Sequence, residues 1–90
     1  MPDYINQAVV NTSTNKVYLS AYSSDAVFVL DGHTNTVVAN VAVGDGPEQI
    51  TVNEITNTVY VANFNVDSVS VIDGTTNTVT ATLALGRAKQ

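Results

Sequence analysis

No cysteine occurs in the 90 residues, so no disulfide staples the chain and no thiolate can hold a metal. Tryptophan is also absent and aromatic residues make up only 7% of the chain, which leaves few stacking platforms for a ligand. Basic residues are nearly missing. Lys16, Arg87 and Lys89 stand against eight acidic residues, and two of the three lie in the last four positions. Nucleic acid and anionic membrane surfaces both demand a cationic footprint, so neither is an expected partner. No apolar run reaches the length of a membrane span. The start, Met1-Pro2-Asp3-Tyr4-Ile5-Asn6-Gln7, lacks the cationic head and apolar stretch of a signal peptide. A cytoplasmic protein and a piece of a longer secreted one both fit that pattern, so the compartment stays open. Helical periodicity is missing throughout.

What is present is a repeat. Shifted by 42 residues, Asn15-Lys16-Val17-Tyr18 falls on Asn57-Thr58-Val59-Tyr60, and Asp31-Gly32-His33-Thr34-Asn35-Thr36-Val37 falls on Asp73-Gly74-Thr75-Thr76-Asn77-Thr78-Val79. About half the positions from Val10 to Gly44 are identical to their partners. A period in the forties with four strand-like runs is the signature of a propeller blade. The repeat divides the chain into one blade over 1–44 and a second over 45–90. Short Val- and Thr-rich runs predict strands near 5–11, 16–22, 26–31 and 36–43, then near 48–53, 58–64, 68–73 and 78–85.

Turn formers separate these runs. Asn11–Asn15 and Asn53–Asn57 join the first strand of each repeat to the second, with Asn suited to left-handed backbone and Thr hydroxyls to local bonds. Tyr22–Asp25 and Phe64–Asp67 join the second to the third. Asp31-Gly32 and Asp73-Gly74 open the last hairpins, and these glycines are expected to take positive φ. Gly44-Asp45-Gly46-Pro47 divides the repeats, with Pro47 expected to precede the paired part of the next strand. Along 16–22, Val17, Leu19 and Ala21 alternate with Tyr18, Ser20 and Tyr22. Both faces carry sizeable side chains, so each sheet must be covered on both sides. Blades packed face to face around an axis meet that need.

Tyr60-Val61-Ala62-Asn63, then Asp67-Ser68-Val69-Ser70-Val71-Ile72-Asp73 and Thr76-Asn77-Thr78-Val79, resemble the YVTN family of β-propeller repeats. The first copy is a weaker match, since Tyr18-Leu19-Ser20-Ala21 lacks the fourth-position Asn. The resemblance implies an all-β fold, a β-propeller with two four-stranded antiparallel blades per chain. It also implies a scaffold of the kind found in surface-layer and secreted proteins, without shared catalytic residues. Members string many blades along one polypeptide, whereas two blades leave the ring to be completed by oligomerisation.

Little in the chain points to catalysis. His33, the only histidine, lies in a polar turn without a second His or a Cys, and its repeat partner is Thr75. Asp31 and Asp73 precede glycine in hairpins, where a carboxylate bonds the backbone two residues on. Gly44-Asp45-Gly46 leads into a strand where a phosphate loop would need a helix. Asn11-Thr12-Ser13 matches a glycosylation acceptor, a pattern common by chance. No cofactor or metal is expected, and an enzyme is the least supported class.

One cluster has a candidate role. In a blade whose first strand lines the axis, the second-to-third turns and the inter-blade loop share one end of the ring. Asp25, Asp45, Glu48, Gln49 and Asp67 fall at that end, with Gln49 and its partner Gln7 nearest the channel mouth. Symmetry would repeat them into a polar, acidic ring able to take a ligand or cation. The expected function is therefore a non-enzymatic propeller scaffold, with a carbohydrate- or small-ligand-binding propeller as the alternative. The expected partner is the chain itself. Three copies would give six blades and four would give eight, and the trimer is preferred because small side chains and short blades suit a tight ring.

Overall fold

The computed structural model describes residues 5–85. Eight strands run in chain order: β1 (Ile5–Asn11), β2 (Lys16–Ala21), β3 (Ala26–Asp31), β4 (Thr36–Ala42), β5 (Pro47–Asn53), β6 (Thr58–Asn63), β7 (Ser68–Asp73) and β8 (Thr78–Ala84). They form two four-stranded antiparallel sheets of identical order, β1-β2-β3-β4 and β5-β6-β7-β8. The repeat extends to the irregularities. Register shifts between Ile5 and Gln7 and between Val29 and Leu30 recur between Pro47 and Gln49 and between Val71 and Ile72. Each extra residue bends its strand and deepens the twist, so both sheets coil alike.

The strands match the runs expected from sequence to within a residue, with three corrections. Tyr22 and Phe64 lie just beyond β2 and β6, and Phe64–Val66 forms a 3-10 turn. Pro47 is the first residue of β5, opposite Asn63, because the bulge that follows leaves no ladder bond for it to donate. Gly32 and Gly74 do not take positive φ. Among the described residues that conformation belongs to Asn15, Asp25, Asn35, Asn57, Asp67 and Asn77, and among the glycines to Gly46 alone.

Those six Asn and Asp residues each immediately precede a strand, so every hairpin closes on a left-handed residue. Their short polar side chains tolerate that region best among non-glycine residues. In the outer hairpins the Asn35 and Asn77 amides bond back to Asp31 and Asp73 carbonyls at 2.7 and 2.8 Å. The Asp31 and Asp73 carboxylates accept the amides of His33 and Thr75, both at 2.8 Å.

Glycine is needed after those aspartates for room. The Gly32 amide donates to the Asn15 carbonyl at 2.8 Å, and Gly74 repeats this with Asn57 at 2.9 Å. A Cβ on Gly32 would sit 2.7 Å from that carbonyl oxygen and would also collide with the Asn15 side-chain oxygen. The backbone atom cannot swing aside. Gly32→Val or Gly74→Val should therefore destabilise the fold by about 1–3 kcal/mol through overpacking. An unchanged urea midpoint would contradict the close approach.

The sheets stack face to face, and the core lies between them. Tyr18, Val27, Val29 and Val41 from the first sheet meet Ile50, Val59, Val61 and Ile72 from the second, all buried. The fit is tightest along the inner strands. β1 and β2 lie against β5, while β4 and β8 barely touch, so the pair opens like a wedge. This is a propeller-like arrangement with β1 and β5 at the narrow edge of the wedge.

Among the described residues two buried side-chain polar atoms lack a hydrogen-bond partner, the Tyr18 hydroxyl and the Asn63 side-chain oxygen. Burial pushes the Tyr18 pKa above the ordinary tyrosine range. A buried, unsatisfied hydroxyl costs about 1–3 kcal/mol. Tyr18→Phe keeps the ring and removes that cost, so it should raise the urea midpoint. A lower midpoint would show that the hydroxyl has a partner.

Candidate functional site

The turns and inter-blade loop bring Asp25 and Asp45 together at one end of the strands. The Asp25 carboxylate accepts the Gly46 amide at 3.0 Å, and Asp45 accepts the Asn65 side-chain amide at 3.1 Å. The Tyr22 hydroxyl in turn donates to the Asn65 oxygen at 3.2 Å. These contacts fasten the loop to both blades, so the two carboxylates act as clasps. Asp67 occupies the matching corner of the second blade, where its carbonyl accepts the Leu85 amide as that of Asp25 accepts Val43. Glu48 sits in the β5 bulge, and its carbonyl accepts the Ser20 hydroxyl at 2.9 Å. Among the described residues no three acidic or histidine side chains converge in a way that could hold a metal ion.

Gln7 and Gln49 lie on β1 and β5, the strands at the narrow edge of the wedge, and differ in role. The Gln7 side-chain oxygen accepts the Ile50 amide at 2.7 Å, which ties the inner edge of one blade to the next. Gln49 instead borders a groove of about 420 Å³ shared with Gln7, Thr51, Tyr60, Ala62 and Val69. Register explains the groove. Gln49 pairs with Ala62, Thr51 with Tyr60 and Tyr60 with Val71, on the face of the second sheet opposite its core. Tyr60, the partner of buried Tyr18, is 38% exposed there.

The far end of the strands carries a second clasp. Asn11 donates to the Asn57 side-chain oxygen at 3.1 Å, and Thr12 donates to the Glu54 carboxylate at 2.8 Å. The Thr12 hydroxyl chiefly holds Glu54 below the usual carboxylate range. Its contribution is present near neutral pH and fades as pH falls through the lowered value. His33 belongs to this end, where its Nδ1 accepts the Asn15 side-chain amide at 2.8 Å. That bond serves the hairpin and brings no nucleophile or acid to the imidazole.

The Asn11–Asn57 and Tyr22–Asn65 clasps and the groove at Tyr60 were not expected from the sequence. The asparagines carried a signal, since Asn11 and Asn15 recur as Asn53 and Asn57. Asn65 carried none, because its repeat partner is Ser23.

No family model matches the chain, and no curated protein matches it. Among solved structures it is similar to Kuenenia stuttgartiensis hydrazine synthase, with 27% identity, a TM-score of 0.82 and 87% of this chain covered. The chain spans 22% of that protein's length. The shared feature is an all-β, propeller-like pair of four-stranded sheets.

Proposed function

We propose that the chain is a non-enzymatic β-propeller module of YVTN type, a scaffold whose ring is completed by further copies of itself. One observation carries the reading. Each member of the core between the sheets has a repeat partner that is apolar and lies on an outer face. Tyr18, Val27, Val29 and Val41 correspond to Tyr60, Val69, Val71 and Leu83 on the outside of the second sheet. Ile50, Val59, Val61 and Ile72 correspond to Ala8, Val17, Leu19 and Leu30 on the outside of the first. Val10, Val37, Tyr60 and Leu83 rank among the exposed large hydrophobic residues for this reason. The joint within the chain is thus drawn a second time, half on each outer face.

The alternative, a carbohydrate- or small-ligand-binding propeller, is favoured by the groove that joins the Tyr60 ring to two glutamine amides and Thr51. Both readings use one surface, because the blade that would complete the ring covers that groove. A panel of glycans and divalent cations titrated by calorimetry separates them. The scaffold reading expects no heat of binding beyond dilution. Saturable binding of a sugar that Tyr60→Ala abolishes would replace it with the lectin reading.

A further inference from the structure

We propose that Gln49 is the polar key of the joint between copies, its side-chain oxygen accepting the Ala8 amide of a second copy of this chain. The inference rests on the assembly reading and deepens it. Within the chain, the Gln7 oxygen takes the Ile50 amide. Ile50 pairs with Val61 on β6, yet its amide points off the free inner edge of β5, where the Gln7 side chain of the other sheet accepts it. Gln49 and Ala8 are the repeat partners of Gln7 and Ile50. Ala8 holds the same place opposite Leu19 on β2, so its amide faces the free inner edge of β1. The two halves of the bond therefore sit on the two outer faces that the apolar positions already match.

The rest of that joint decides how much hangs on this bond. Ser20, which fixes the Glu48 carbonyl across the internal joint, is replaced by Ala62. Tyr22 and Asn65 are replaced by Phe64 and Ser23. The Asn63, Ser68 and Ser70 cluster is replaced by Ala21, Ala26 and Phe28. The joint between copies is greasier and has fewer directional contacts. Gln49 to Ala8, with Asn53 to Asn15 copying Asn11 to Asn57, sets which faces meet and in what register. Apolar burial drives the contact without choosing a register, whereas a hydrogen bond to one backbone amide does choose.

Amide hydrogen exchange followed by NMR, alongside light scattering, tests this in the full chain. In the assembled parent the Ala8 amide should be protected. Gln49→Ala should speed its exchange about tenfold, the loss of roughly one hydrogen bond, and leave Ile50 unchanged. Gln7→Ala should do the reverse. Gln49→Glu keeps an acceptor and should keep Ala8 protected, so if Gln49→Ala fails to assemble, restored mass and protection in Gln49→Glu carry the proposal and their absence overturns it. An assembled parent whose Ala8 amide is unprotected, or indifferent to Gln49→Ala, overturns the Gln49 assignment and leaves the assembly reading intact. A parent that is a single chain overturns both.

Discussion

Val71→Asp should leave folded single chains where the parent assembles. Val71 lies on the outside of the second sheet, between Tyr60 on β6 and Ala81 on β8, and is half-buried in the lone chain. A carboxylate there stays hydrated until another blade covers it. Covering it strips water from a charge for which none of the matching apolar positions Ala8, Val17, Leu19 and Leu30 offers a cation. The penalty is on the order of 4 kcal/mol, or about a thousandfold in the association constant of each joint. Val29→Asp puts the same change at the repeat partner, which is fully buried inside the chain. That variant should not fold, because the penalty falls on a stability of only about 5–15 kcal/mol for a small domain. Light scattering and far-UV circular dichroism read both outcomes. Two identical residues at equivalent positions would then differ only by which joint they occupy, and similar behaviour of the two variants would contradict that distinction.

Much of the fold was legible because the repeat says everything twice. Alternation along β2 and β6 assigned Val17, Leu19, Tyr18 and Ser20 to faces correctly, since period-two patterning follows directly from the pleat. Turn chemistry was read with the right residue types and the wrong division of labour. Asp-Gly suggested glycine as the left-handed residue, whereas the closing Asn35 and Asn77 take that conformation. Glycine is required by the approach of another hairpin, through Asn15 and Asn57, and a contact made 17 residues away leaves no trace in the local pattern. The polar end was legible only as a location. Whether Asp25 and Asp45 face a channel or clasp a loop depends on Gly46 and Asn65, which alternation does not place. The outer faces were legible too, because alternation puts Val17, Leu19, Val69 and Val71 on the sides of the sheets away from the core, where they are half-buried, while Val37 is exposed.

The parent itself is expected to be a closed ring of three copies. A joint of on the order of 1,000 Å² of mostly apolar surface gains about 25 kcal/mol at 25 cal/mol/Å². Association costs of roughly 4–15 kcal/mol leave a surplus. The contact is head-to-tail, so it either closes or continues as a filament. Whole two-blade chains allow only even blade counts, and six suits blades of 42 residues with side chains as small as Val, Ala and Ser at the joint. Closing the last joint is intramolecular, which favours a ring over open oligomers. The direct measurement is the mass of the 90-residue chain by light scattering after size exclusion, across a hundredfold range of concentration. A constant mass three times the 9.5 kDa of one chain is the expected result. A fourfold mass would move the ring to eight blades, and a mass of one chain at every concentration would contradict the account.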